Sequence, residues 1–183
     1  MKVYFDDGIV QGYTDHEEKR IHYFGAWQLQ DWFQVLKVWQ KPYWRGLVGV
    51  HWGFSNLANR AIKMLEVDRN YSNYTITGHS MGGAIAVLVA WYLRRYVDVS
   101  VRTAGSPRVL SPIAHWQIDS QIFMVRYIND HDPVPHFLPW LFGYRHVGNV
   151  ARFLCTKKFM DAHQPVEYQK HLPWCIPTWE IEH

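Results

Sequence analysis

Hydrophobic residues along this chain change their spacing several times, and each change marks an element. Tyr74-Thr75-Ile76-Thr77 is β-rich and follows the turn-like Arg69-Asn70-Tyr71-Ser72-Asn73, whereas Met81 to Leu93 is an almost unbroken apolar stretch of helix-forming residues. A strand is therefore expected to run directly into a buried helix. Upstream, the pattern predicts a strand or hairpin around Gly8 to Tyr13, and a second strand at Ile21 to Phe24 after the charged turn Asp15-His16-Glu17-Glu18-Lys19-Arg20. A helical segment follows Trp27. Leu47 to His51 reads as a further strand, leading into a helix where Leu57, Ala61, Met64 and Leu65 recur at helical spacing behind a Ser55 or Asn56 cap. Val99 to Ala104 and Ile122 to Ile128 read as two more buried strands, separated by a short segment from Ser111 to Trp116.

Strands alternating with helices imply an α/β fold, a mostly parallel sheet with helices on both faces. No repeat, low-complexity tract or linker interrupts the pattern, so residues 1–183 are expected to form one compact domain. In such sheets reactive groups gather outside the carboxyl ends of the strands. The Tyr74 strand ends in Thr77-Gly78-His79-Ser80-Met81-Gly82-Gly83, which has the Gly-x-Ser-x-Gly form of a nucleophile elbow in the strand-to-helix setting that the motif requires. A serine at such a turn has a strained backbone, so the residues two before and two after must be small; Gly78 and Gly82 meet that need. The turn pushes the Ser80 hydroxyl above the sheet and aims the Met81 amide, at a helix N-terminus, toward a developing oxyanion. The Ile122 strand runs into Asn129-Asp130-His131-Asp132-Pro133-Val134-Pro135, which offers Asp130 and Asp132 where a triad acid belongs. His163, in Asp161-Ala162-His163-Gln164-Pro165, follows in the chain order Ser, Asp, His of this kind of hydrolase.

Composition narrows the classes. With 48% hydrophobic and 19% charged residues among 183, the chain has the balance of a globular protein, and no run has the apolar length needed to span a bilayer. A formal charge of +3, with no basic patch longer than Arg94-Arg95 or Lys157-Lys158, argues against a nucleic-acid partner. Cys155 and Cys175 have no zinc-site spacing and are expected as free thiols; no metal is expected. The start Met1-Lys2-Val3-Tyr4-Phe5-Asp6-Asp7 has acids where a signal peptide needs an apolar stretch, so a cytoplasmic product is expected. Aromatic residues reach 16%, including 10 tryptophans, which suits both a core and a surface that meets an apolar phase.

Several motifs, in order, resemble the class 3 lipases, the fungal triacylglycerol lipase-like branch of the α/β-hydrolases. The elbow resembles their Thr-Gly-His-Ser-Leu-Gly-Gly, with Met81 in place of leucine. Val50-His51-Trp52-Gly53-Phe54 resembles Val-His-x-Gly-Phe, Thr103-Ala104-Gly105-Ser106-Pro107-Arg108-Val109 resembles Thr-Phe-Gly-Ser-Pro-Arg-Val, and Asp132-Pro133-Val134-Pro135 resembles the acid loop. The resemblance implies an α/β-hydrolase fold, with Ser80 as nucleophile, Asp132 as acid rather than Asp130, and His163 as base rather than His171. It gives His146, in Tyr144-Arg145-His146, no role as base, so a packed or hydrogen-bonded role is expected there. His79 is expected to pack beneath the elbow, and His131, His136 and His171 to lie in loops or at the surface.

The implied activity is hydrolysis of carboxylic esters, acylglycerols or other lipid esters foremost, by way of an acyl-enzyme and without cofactor. A phospholipase A1-type hydrolase and a catalytically weak lipid-surface binding protein are the alternatives. The expected partners are a lipid or ester substrate and a transient lipid interface. Where the family commonly has Arg-Gly-Ser or Arg-Gly-Thr, this chain has Phe24-Gly25-Ala26, so Ala26 brings a backbone NH to the oxyanion hole but no hydroxyl. Losing such a donor costs about a hundredfold in turnover. Beyond it, Leu29, Trp32, Phe33, Leu36 and Trp39 share one helical face, with Gln28, Gln30, Gln34 and Lys37 elsewhere. The resemblance makes this segment a lid, with Trp27, Trp32 and Phe33 contacting substrate.

Overall fold

A hairpin opens the chain. The computed structural model, which describes residues 1–25, 39–65, 67, 73–137 and 143–174, pairs β1 (Lys2–Asp6) antiparallel with β2 (Gln11–Asp15). Asp7 closes their turn by accepting from the amides of Ile9 and Val10 at 3.2 and 2.9 Å. The sequence pattern had marked only the second arm, because β1 alternates between exposed and half-buried side chains and lacks a clear apolar face. β3 (Arg20–Tyr23) pairs antiparallel with β2 and parallel with β6 (Asn73–His79).

From β6 onward the pairing is parallel, through β7 (Asp98–Ala104), β8 (Phe123–Asn129) and β9 (Asn149–Phe153). The sheet order is therefore β1-β2-β3-β6-β7-β8-β9, mostly parallel and flanked by helices as expected. β4 (Gln40–Trp44) and β5 (Leu47–His51) form a separate two-stranded sheet. The carboxyl ends of β6 and β8 lie on one edge of the parallel sheet, and both lead into the loops that carry Ser80 and Asp132.

The helices follow from which faces must be buried. In α1 (Trp52–Met64), Phe54, Leu57, Ala58 and Ala61 are fully covered. Its cap is His51 instead of the expected Ser55 or Asn56: the ring Nδ1 accepts from the Phe54 amide at 3.3 Å, while Ser55 donates to the Trp52 carbonyl at 2.7 Å. The helix begins one residue after β5 ends, so the last strand residue takes the capping role. In α2 (Met81–Leu93) every residue but Tyr92 is buried, which is why its sequence is apolar all round. α3 (Pro112–Asp119) starts with Ser111 accepting from the Ala114 amide at 3.1 Å and proline in its first turn. The main core joins β3, β6, β7 and β8 to these three helices. By strand alternation Val101 faces that core and Ala104 the opposite face, where Ala104 packs with Tyr168 of α4 (Pro165–Gln169) and with Leu172.

Candidate active site

The elbow brings Ser80 to φ 53°, ψ −125°, a conformation that non-glycine residues rarely adopt. Backbone bonds hold it there. The Ser80 amide donates to the Ala104 carbonyl at 2.9 Å, and the Ser80 carbonyl accepts from Gly83 and Ala84 at 3.0 and 3.3 Å. Its side chain makes no capping bond to α2 and so is left for other chemistry. The glycines are obligatory for the reason expected. A Cβ at residue 82 would lie 2.3 Å from the Tyr23 carbonyl oxygen, and one at residue 78 would lie 2.4 Å from the Gly82 backbone.

Ser80, His163 and Asp132 meet across three loops. Ser80 Oγ lies 2.8 Å from His163 Nε2, and His163 Nδ1 lies 2.7 Å from Asp132 Oδ2. All three are buried, Asp132 at 1% exposure. Each Asp132 oxygen has a further donor: Oδ1 accepts from the Val134 amide at 2.8 Å, and Oδ2 from the Tyr168 hydroxyl at 2.6 Å. With His163 these make three donors to one buried carboxylate, so both of its oxygens are hydrogen-bonded. Asp130, the other acid of the run, is instead ion-paired with Arg152 at 2.6 Å near the surface.

Two supporting residues went unnoticed in the sequence. Tyr168 also accepts from the Asn129 amide at 3.1 Å, so its hydroxyl joins the end of β8 to the acid. Asn129 ties the loops together: its Nδ2 donates to the Ala162 carbonyl at 3.0 Å and to Cys155 Sγ at 2.8 Å, while its Oδ1 accepts from the amides of Cys155 and His131 at 3.3 Å each. Asn129 heads the acid run and follows a strand, which is a usable signal; Tyr168 sits in a helix of five residues with no period to read. Gly105 also takes part. At φ 58° it leaves room beside the pair, where a Cβ would lie 2.9 Å from Asp132 Oδ2.

Among the described residues, the other histidines discussed as candidates fall away from the reacting atoms, with one exception. His79 is buried under the elbow as expected, its ring centroid 4.7 Å from that of His163. Burial, with the His163 ring alongside, holds its pKa well below the ordinary value. His146 bonds the Pro135 carbonyl at 2.7 Å, and burial beside Arg126 brings it to about 3. His131 Nδ1 faces the carbonyls of Cys155 and Lys157 at 2.9 and 3.0 Å, and His171 packs on Phe153 at 4.5 Å. Cys155 is a buried free thiol.

Ala26, Trp27, Trp32, Phe33 and Cys175 lie outside the described residues, as does the lid segment up to residue 38. The approach to Ala26 is described. Gly25 passes beside the elbow, where a Cβ would lie 3.1 Å from His79 Nδ1 and 3.3 Å from Ser80 Cβ. Phe24, in place of the family's arginine, is buried against His22 at 5.1 Å. At the far end of the segment, Trp39 and Trp52 are exposed and joined by an amide-to-carbonyl bond of 3.0 Å. Among the described residues no helix is long and apolar enough to cross a membrane, and no group of three His, Cys, Asp or Glu could hold a metal ion.

The profile of the family "Lipase (class 3)" matches residues 22–142, more than half of the chain. A secreted mono- and diacylglycerol lipase of Fusarium solani is 36% identical over 107 residues, covering 54% of this chain and 32% of that protein. A second secreted mono- and diacylglycerol lipase, from Malassezia globosa, is 34% identical over 95 residues, covering 49% of this chain and 31% of that one. The chain thus spans about a third of the length of these curated relatives. Among solved structures, the lipase of Rhizopus microsporus var. chinensis superposes with a TM-score of 0.67 at 25% identity, over 82% of this chain and 60% of that one. The expectation of a cytoplasmic product is overturned by these relatives, which are named as secreted; acids near Met1 do not address a protein to the cytoplasm. Its α/β-hydrolase fold and the span of the family match together establish that the chain belongs to the class 3 lipase family.

Proposed function

We propose that this chain hydrolyses carboxylic esters of lipids through an acyl-enzyme on Ser80. The observation that carries the reading is the continuous hydrogen-bonded line from Ser80 Oγ through His163 to Asp132, at 2.8 and 2.7 Å. His163 takes the Ser80 proton as Oγ attacks the ester carbonyl, then returns it to the leaving alcohol; water repeats the sequence to release the acid. Asp132 accepts from Nδ1–H, which keeps the Nε2 lone pair toward Ser80 and stabilises the imidazolium that forms. The amide of Met81, in the first turn of α2, has no acceptor within the helix and is the first oxyanion donor. The amide of Ala26 is the second. Trp27, Trp32 and Phe33 line the acyl site in this reading, and the segment they belong to covers it as a lid that opens at a lipid surface. Acylglycerols are the favoured substrates, and the two secreted relatives support an extracellular setting.

The test is hydrolysis of nitrophenyl esters of increasing chain length, below and above micelle formation. Wild type is expected to cleave long-chain esters with a jump in rate at the interface, and Ser80→Ala to lose about four orders of magnitude or more in kcat. Activity that survives Ser80→Ala refutes the mechanism. A preference for short soluble esters with no interfacial jump refutes the lid.

A further inference from the structure

The ring of His79 is buried against the base and takes part in none of the steps above. His79 directly precedes Ser80 and pairs with Ala104 between β6 and β7, which turns its side chain to the face of the sheet where Tyr168 packs. Its exposure is only 3%. The ring centroid lies 4.7 Å from that of His163, with the planes inclined at 33°, and 5.2 Å from that of Tyr168, close to edge-on at 62°. His79 thus touches both the base and the tyrosine whose hydroxyl donates to Asp132. Glycines close in around the pair of histidines: a Cβ at residue 25 would lie 3.1 Å from His79 Nδ1, and one at residue 105 would lie 3.1 Å from both Cε1 and Nδ1 of His163. Among the described residues neither nitrogen of His79 completes a hydrogen bond, although the His163 backbone lies close enough to favour a proton on the ring.

Two buried nitrogens without partners make a histidine less stable here than a hydrocarbon side chain of similar volume. An imidazole offers what the hydrocarbon cannot. No carboxylate is bonded to it, so burial keeps the ring uncharged, with an electron-rich face and one lone pair. A positive charge developing on the His163 ring, 4.7 Å away, is drawn to both. We propose that His79 is a positioning residue for His163: its ring holds the base between Ser80 and Asp132 and attracts the imidazolium that forms as Ser80 attacks. The role rests on the reading of Ser80 as nucleophile and His163 as base. The attraction exists only while His163 carries the proton, so it acts on kcat and leaves substrate binding alone.

Steady-state ester hydrolysis by His79→Leu and His79→Phe tests the role, together with the downfield proton NMR resonance of the Nδ1–H that His163 shares with Asp132. Both variants lack the unpartnered nitrogens and are expected to unfold at no lower urea concentration than wild type. His79→Leu is expected to lose about tenfold in kcat with KM unchanged. His79→Phe keeps a ring face without the lone pair and is expected to lie between Leu and wild type; it also carries the test if His79→Leu does not fold. Exchange of the shared proton with water, read from the width of its resonance, should quicken about tenfold as the base ring becomes free to turn. A kcat at the wild-type value, a loss expressed in KM alone, a proton exchanging at the wild-type rate, or a slow variant that also unfolds earlier overturns the proposal. If wild type cleaves no ester but exchange quickens in the variants, the reading of Ser80 fails and the hold of His79 on His163 stands.

Discussion

Ser80 pays for its position in backbone strain, since a non-glycine residue held at φ 53°, ψ −125° costs about 1–3 kcal/mol. Ser80→Gly is therefore expected to be more stable than Ser80→Ala by about 1 kcal/mol in urea unfolding, although both remove the nucleophile. Equal stabilities would mean that the turn is relaxed. Tyr168 carries the second prediction at this scale. Removing a hydroxyl that donates to a buried carboxylate loses about 1.5–3 kcal/mol, so Tyr168→Phe should lower kcat/KM about tenfold while the fold persists; an unchanged kcat/KM would leave Tyr168 a packing residue only. Ser80, Asp132 and His163 were legible because motif, chain order and resemblance all bear on them. Tyr168 was not, since its contact with Asp132 spans 36 residues and depends on how two loops fold back.

Among the elements, α2 was the easiest to read and is the most completely enclosed. Leu88 at its centre has no exposure, so Leu88→Ala should destabilise the protein by about 3 kcal/mol, measurable as a lower urea midpoint; a loss under about 1 kcal/mol would mean that the helix is loosely held. Elements missed in the sequence have physical reasons for their silence. β4 contains Pro42, which argues against a strand unless it lies at an edge, and two of its five residues are exposed. β9 is the last strand of its sheet, with three of five residues exposed, so it shows no apolar face. The start of α1 was misplaced because histidine is not among the usual capping residues, although the ring of His51 can do the same work as a serine oxygen.

Across the whole molecule, buried histidines tie stability to pH. His22 is fully buried, bonded to Thr77 at 2.7 Å, and burial with Arg20 and Lys2 nearby brings it to about 3, as burial does for His146. Both pKa values are lower in the folded state than in the unfolded chain, where histidine titrates near about 6.5. As pH falls below that value the unfolded chain binds protons that the folded protein does not. The stabilisation is thus complete above about pH 6.5 and is lost on acidification, at about 1.4 kcal/mol per pH unit for each histidine. His22 and His146 together should lower the unfolding free energy by about 4 kcal/mol between pH 7.5 and pH 5.0, the likewise depressed His79 adds in the same direction, and His22→Leu should reduce the slope by one proton. A flat profile would mean that these rings are protonated in the fold. The hydrolase architecture was readable from alternating patterns and ordered motifs, and a packed, hydrogen-bonded His146 was expected, whereas the burial of His22 was not, because only tertiary packing separates a buried ring from a surface one.

Ester hydrolysis by this chain requires Ser80 to be an activated nucleophile, and mass spectrometry of the chain after exposure to a fluorophosphonate tests this in one step. One adduct is expected on Ser80 in wild type, none in Ser80→Ala, and a rate lowered about a thousandfold or more in His163→Ala. An unmodified Ser80 in the folded wild type, or equal labelling of Ser80→Ala, would contradict it.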